Sequence, residues 1–329
     1  MKAIVIVPSG EGGTLELRDV PEPAPGPSDV LIHVKATALN RADLAQRRGG
    51  YPAQSAAGES ALVIGGLEAT GEIVGMGTEV TGLSSGDRVM AMCGGGYAEY
   101  VTVDYRLALP VPERLSWEEA ATIPVSYMTE HDALITNAQL QAGESVLVNA
   151  ASSGVGVAAI QLAKLFGAQP VLGTSGSPEK LDALTSLGLD RGINYQSENV
   201  ADAVLAETDG AGIDIVLDHV GASALADHMR CMALKGRLIG IGRLGGRMSD
   251  IDLDLLALKR LRLIGVTFRT RTLDERIAIA QRCAADVLPA LADGRLRPVI
   301  DRTFPLEDAL EAQGYMASNA QVGKIVLTL

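Results

Sequence analysis

Residues 146–157 read Val-Leu-Val-Asn-Ala-Ala-Ser-Ser-Gly-Val-Gly-Val, an apolar strand that enters a turn of small residues and then the amphipathic stretch VAAIQLAKLFGA. A strand, a tight turn and a helix in that order form the first part of a βαβ unit, which buries its strands beneath helices. The same rhythm runs from about Ile123 to Phe268. The segments ESVLVNA, PVLGT, GINY, IDIVLDHV, GRLIGIG and LRLIGVTF alternate with helices expected at 178–187, 200–207 and 224–234. Six strands so separated predict an α/β domain built on a doubly wound, six-stranded parallel sheet.

The small-residue turn has a chemical reading. Ala151, Ser153 and Gly156 take the three places of G-x-G-x-x-G. Small side chains let a backbone approach a pyrophosphate, and a helix starting near Gly154 offers free N–H groups and the positive end of its dipole. Ser153, Gly154, Val155 and Gly156 are therefore candidate dinucleotide contacts. Two of the three glycines are replaced, so the loop alone also reads as a tight turn without a ligand; the surrounding alternation favours the dinucleotide.

The second strand of this pattern ends in Gly173-Thr174-Ser175-Gly176-Ser177-Pro178. A NAD enzyme usually has an acid here for the ribose 2′-hydroxyl, whereas Ser175, Ser177 and the cation Lys180 suit a 2′-phosphate. NADPH is thus the expected cofactor. Ser177-Pro178 also reads as a helix N-cap followed by proline at the first helical position, a role compatible with the first.

Residues 1–122 differ in character. Short segments such as KAIVIV, TLELRDV, DVLIHVKATAL and ATGEIVGMG are separated by glycine and proline, which predicts an antiparallel barrel or sandwich. After Phe268 comes the helical segment DERIAIAQRCAADVLPALADG, in which Pro289 is expected to kink or end the first run. The final strand, GKIVLTL, is expected to return to the N-terminal barrel, because chain ends tend to meet. The expected domains are 1–122 with 270–329, and 123–269.

Composition narrows the partners. With 47% hydrophobic and 21% charged residues the chain is of globular type. A net charge of −12 disfavours nucleic acid and anionic membranes. The one dense basic run, Lys259-Arg260-Leu261-Arg262, reads as the solvated approach to a strand. Cys93, Cys231 and Cys283 are odd in number and far apart, which points to a reducing, cytoplasmic setting. No apolar segment approaches the ~20 residues needed to span a bilayer.

Several stretches carry a resemblance that runs nearly end to end: Asn40-Arg41-Ala42-Asp43-Leu44, Gly49-Gly50-Tyr51, Gly66-Leu67-Glu68-Ala69-Thr70-Gly71, the Ala151 to Gly156 loop, Gly192-Ile193-Asn194-Tyr195 and Val322-Gly323-Lys324-Ile325-Val326-Leu327. The chain resembles the zinc-free quinone oxidoreductases, the ζ-crystallin-containing group of the medium-chain dehydrogenase/reductase superfamily, and within them the p53-inducible branch. The resemblance implies a GroES-like β-rich catalytic domain beside a Rossmann domain. Zinc-dependent relatives place Cys, His and Cys or Asp around a metal, while the matching positions here are Asn40, Leu67 and Val125, which cannot replace them. The structural zinc lobe is also missing, since residues 92–104 contain only Cys93. No metal is expected, and Glu68 is read as structural. The resemblance also implies Thr129 and the backbone near Phe268 by the nicotinamide, Tyr195 and Lys180 by the adenosine phosphate, and Val220, Gly242 and Lys324 along the rest of the cofactor.

Hydride addition to a quinone or an enone leaves negative charge on the acceptor oxygen, so hydrogen-bond donors are needed there. Asn40 offers an amide and Tyr51 a phenol that stays protonated near neutral pH; both are candidate catalytic and substrate-binding residues. Gly49, Gly50 and Pro52 make the segment around Tyr51 a candidate lid, the alternative being a surface aromatic. Tyr127 is a candidate wall for a flat acceptor. His131 and His219 have no partner visible in the sequence and are read as structural.

The resemblance places quinone reduction first and enone or enoyl reduction second. A crystallin-like or RNA-binding role is the non-enzymatic alternative, with the acidic charge weighing against RNA. Residues 261–268 form an isolated apolar strand, which predicts a homodimer by sheet continuation.

Overall fold

A ten-residue strand, Asp29–Ala38, organises the first part of the chain. The computed structural model describes residues 1–8, 12–49 and 62–329, so Tyr51 and its glycine-rich segment lie outside the described residues. Two compact units are present, Met1–Met128 with Thr272–Leu329, and Thr129–Arg271.

In the first unit β1 (Lys2–Val7) and β2 (Thr14–Asp19) form an antiparallel ribbon. β3 (Asp29–Ala38) buries Val30, Ile32, Val34, Ala36 and Ala38, the alternate positions of a strand. It is followed by α1 (Arg41–Arg47), then by β4 (Glu68–Met76), β5 (Arg88–Met92), β6 (Tyr100–Asp104) and β7 (Leu109–Pro110). α2 (Trp117–Ala121) opens with a capping box between Ser116 and Glu119, and α3 (Ile123–His131) follows it, its residues from Thr129 onward belonging to the other unit.

The unit Thr129–Arg271 holds the alternating elements: β8 (Val146–Val148), α4 (Gly154–Leu165), β9 (Val171–Ser175), α5 (Pro178–Thr185), β10 (Arg191–Asn194), α6 (Val200–Glu207), β11 (Ile213–Asp218), α7 (Leu225–Cys231), β12 (Met232–Gly240), α8 (Leu253–Leu258) and β13 (Arg262–Gly265). The strands form a parallel sheet in the order β10-β9-β8-β11-β12-β13. Leu147, Leu172, Ile193, Val216 and Leu238 supply its core against Ala201, Val204 and Met229. Burying each large aliphatic side chain is worth about 1.5–3 kcal/mol.

The remainder of the first unit is α9 (Leu273–Ala292), β14 (Ile300–Pro305), α10 (Ala309–Ala317) and β15 (Lys324–Thr328). β15 lies between β14 and β3, pairing antiparallel with β3. The C-terminal strand thereby closes the sheet β14-β15-β3-β4-β5-β7, with β6 also on β3.

Several expectations need correction. α9 continues through Pro289, which stands in its last turn, where one lost N–H disturbs little of the ladder. The helix expected to reach 234 ends at Cys231, because Met232 already pairs with Ile213 in the sheet. Lys259 donates to the carbonyls of Met229, Arg230 and Met232, satisfying the helix end, so the first residue of the basic run is a cap. The strand expected over 261–268 is also shorter, Arg262–Gly265, with Phe268 in the bend that follows. Among the described residues no helix is long and apolar enough to cross a membrane.

Candidate active site

The turn from β8 to α4 is built by local chemistry. Ala150 adopts φ of 50°, Ala151 N–H donates to Thr174 O at 2.9 Å, and Ser153 Oγ accepts from Gly156 N–H at 3.1 Å as the N-cap. A Cβ on Gly156 would lie 2.5 Å from the carbonyl oxygens of Ala150 and Ala151, so only glycine fits. The amides of Gly154 and Val155 open the helix and have no intrahelical partner. That edge of the sheet can cradle a pyrophosphate.

The parallel pairing of β9 with β10 sets Asn194 opposite Ser175, and Tyr195 N–H donates to Ser175 O at 3.2 Å. A Cβ on Gly176 would meet the Tyr195 hydroxyl at 2.7 Å. Ser175, Ser177, Lys180 and Tyr195 are thus gathered at one corner, with Tyr195 exposed. Ser175 Oγ is 3.4 Å from Ser152 Oγ. Ser177 Oγ accepts from Lys180 N–H at 3.3 Å and donates to Glu179 Oε2 at 2.6 Å. The carboxylate of Glu179 at this corner is a residue that sequence reasoning missed; the signal was an acid two places after Ser177.

At the end of β11, Asp218 Oδ1 accepts from Val220 N–H at 2.9 Å and Gly221 N–H at 2.8 Å. Gly242 N–H donates to Asp218 O, and Gly245 N–H to Val220 O, which brings the segments holding Val220 and Gly242 together. Thr174 Oγ1 donates to Asn149 Oδ1 at 2.8 Å, and Asn149 Nδ2 reaches His228 Nε2 at 2.6 Å. All of these groups lie at the carboxyl edge of the sheet, and β8 and β11 flank the point where strand order reverses. Thr129 is half-buried on α3, and Phe268 is half-buried after β13.

A second polar cluster is buried in the first unit. Lys324 Nζ donates to Asn40 Oδ1 at 2.8 Å and to Glu68 Oε1 at 2.7 Å. Asn40 Nδ2 donates to Glu68 Oε1 at 2.9 Å and to Ala38 O at 3.2 Å, while Glu68 Oε2 accepts from Val125 N–H at 2.8 Å. Both amide hydrogens of Asn40 are therefore engaged, and the ammonium of Lys324 is turned to Glu68. Asp43 Oδ2 accepts from Asn40 N–H and from the Tyr97 hydroxyl, each at 2.7 Å. Burial pushes the Asp43 carboxyl up to about 7, and burial also drives the neighbouring thiol of Cys93 up. Tyr127 is buried, with its hydroxyl 3.5 Å from Arg297 O.

This cluster does not fit zinc. Of the matching positions, Leu67 and Val125 carry no donor atom and Asn40 offers only an amide, while the nearby carboxylate of Glu68 is already paired with an ammonium.

Residues 26–113 match the alcohol dehydrogenase GroES-like domain family, and residues 154–282 match the zinc-binding dehydrogenase family. The chain is 33% identical over 332 residues to a quinone oxidoreductase of Pseudomonas aeruginosa, covering 99% of each chain. It is also 33% identical over 320 residues to a phenolphthiocerol/phthiocerol polyketide synthase polypeptide of Mycobacterium tuberculosis, 97% of this chain but only 14% of the length of that polypeptide. Among solved structures, a mycobacterial protein complexed with NADPH superposes with a TM-score of 0.89 at 28% identity, covering 100% of both chains. The JamJ enoyl reductase superposes with a TM-score of 0.86 at 25% identity, covering 100% of this chain and 99% of that one.

Proposed function

Since the chain belongs to the quinone oxidoreductase family of the medium-chain dehydrogenases/reductases, we propose that it is an NADPH-dependent reductase of quinones that works without a metal. The observation that carries this reading is the turn at Gly156 together with Ser175, where the sheet edge offers a pyrophosphate cradle and no acid ends β9.

Bound NADPH supplies the hydride. The amides of Gly154 and Val155 hold the pyrophosphate, with Ser153 fixing the first turn. Ser175, Ser177, Lys180 and Tyr195 take the 2′-phosphate end, and Thr129, Val220, Gly242, Phe268 and Lys324 contact the rest. Asn40 and Tyr51 serve the acceptor oxygen. For Asn40 to donate, its bond to Ala38 O, the longer of the two at 3.2 Å, must open, so Tyr51 carries the larger share. Tyr127 acts as a wall against the acceptor ring. Holding donor and acceptor in contact can remove roughly 7–11 kcal/mol of barrier in favourable cases, and a quinone needs little further activation.

Fluorescence titration with both nucleotides tests the cofactor reading. NADPH is expected to bind at least about tenfold tighter than NADH, a difference of about 1.4 kcal/mol. Equal dissociation constants would refute it.

The likeness to an enoyl reductase favours a second reading, reduction of a C=C bond conjugated to a carbonyl, which uses the same hydride geometry. Under it, NADPH would be consumed in step with enone saturation and not with quinones. We further propose a homodimer formed through β13, the edge strand of the parallel sheet, where Leu263 is exposed, as are Leu253 and Leu258 of α8.

A further inference from the structure

Two buried side chains in the unit Thr129–Arg271 have no place in the reading above. His219 follows β11 and Glu130 follows Thr129 on α3, and their side chains are 4% and 0% exposed. Nδ1 of His219 lies 2.7 Å from Asn149 O, and Nε2 lies 2.9 Å from Glu130 Oε1. A backbone carbonyl only accepts, so Nδ1 carries a hydrogen. A carboxylate also only accepts, so either Nε2 carries a second hydrogen or the carboxyl keeps it and Nε2 accepts. In both forms the pair holds one proton more than a neutral imidazole beside a carboxylate.

Removing that proton would set a lone pair against a carboxylate oxygen 2.9 Å away, too close for a water to stand between them. Among the described residues Glu130 Oε2 has no hydrogen-bond partner, so none of them offers the carboxylate a second donor. Asp218 is a further charged group facing His219 among the described residues, and its Oδ2 lies 3.8 Å from Nδ1 of His228 on α7. Asp132, two residues beyond Glu130, is paired with Arg271. Burial disfavours the imidazolium, but the charge and hydrogen bond of Glu130 outweigh it, and the affinity of His219 for its proton is raised.

The groups joined through the His219 ring come from different elements. Asn149 follows β8 at the phosphate turn, His219 sits between Asp218 and Val220, and Glu130 is next to Thr129. Gly242 packs on the same loop so closely that a Cβ there would lie 2.2 Å from His219 O. We propose that Glu130 and His219 are a positioning pair whose retained proton, with the Nδ1–H bond to Asn149, holds the last turn of α3, the turn after β8 and the loop after β11 in the arrangement that binds NADPH. This rests on the cofactor reading above. Loss of the proton then weakens the cofactor without any group on the cofactor changing charge.

The test is the NADPH dissociation constant measured from about pH 7 to pH 10 for wild type and Glu130→Gln, where a single linked proton predicts weakening of about tenfold per pH unit once the pair titrates. In Glu130→Gln the amide donates to Nε2 of a neutral imidazole, so the bonds persist without the proton. Affinity at neutral pH is then expected within about twofold of wild type and flat above it, because an uncharged hydrogen bond has nothing to titrate. Parallel curves for the two proteins overturn the pair alone; no NADPH binding at any pH overturns the cofactor reading and the pair with it. If Glu130→Gln does not fold, nitrogen NMR of His219 in wild type decides. Its titration must coincide with the loss of NADPH affinity, and a separation of more than about one pH unit overturns the inference.

Discussion

Lys324 Nζ and Glu68 Oε1 are 2.7 Å apart, and neither side chain is more than 7% exposed. Removing one partner leaves a buried charge uncompensated, which costs about 3–5 kcal/mol, more than a surface pair ever contributes. Lys324→Met should lower stability by that amount in urea denaturation, and Lys324→Met with Glu68→Gln should recover much of the loss. A neutral effect of Lys324→Met would show that the pair is not held as described.

Asp43 gives the protein a pH dependence of unusual sign. Burial raises its carboxyl to about 7, so the folded state holds a proton that the unfolded chain has released. The native form therefore binds more protons between the unfolded value of about 4 and the folded value, and stability falls as pH rises through that window. Above it the penalty is constant. Asp43→Asn keeps an oxygen for Tyr97 and for Asn40 N–H and should flatten this part of the profile in denaturation measured at about pH 5 and pH 8. An unchanged slope in the variant would assign the dependence elsewhere.

How much of this is legible in the sequence depends on range. The turn from β8 into α4, the Ser177-Pro178 start of α5 and the span of α6 are set by neighbouring residues, and the local pattern shows them. Pro289 misled because its effect depends on its position along α9, which the local pattern does not fix. The polar clusters are hidden for a different reason. Glu130 and His219 are 89 residues apart, Asp43 and Tyr97 54, and Glu68 and Lys324 256, so no spacing rule joins them. His219 in particular gains its partner only when the sheet assembles. Asn40 is visible as a polar residue where relatives hold a metal ligand, but the engagement of both its amide hydrogens is not.

At the corner near Tyr195, the carboxylate of Glu179 faces the proposed 2′-phosphate region through Ser177. Its hydrogen bond to Ser177 keeps it below the usual carboxylate range, so it stays charged. Glu179→Gln should tighten NADPH by about threefold and leave NADH unchanged, the modest size reflecting solvent screening of an exposed charge. Equal gains for both nucleotides in fluorescence titration would place the effect away from the 2′-phosphate.

Among the described residues β13 ends the parallel sheet with an unpaired edge. Sedimentation analysis at micromolar concentration should show a dimer, and Leu263→Lys should shift it toward monomer by burying a charge beside its two-fold copy. A wild-type monomer would contradict the pairing.

Hydride transfer from NADPH to a quinone with no metal is the central step of the proposed function. The direct measurement is the rate of NADPH oxidation by chelator-treated enzyme against a panel of quinones and enones, with NADH in parallel. The predicted result is turnover of quinones that survives chelation and falls at subsaturating cofactor by at least about tenfold with NADH. No quinone turnover, or turnover that chelation abolishes, would contradict it.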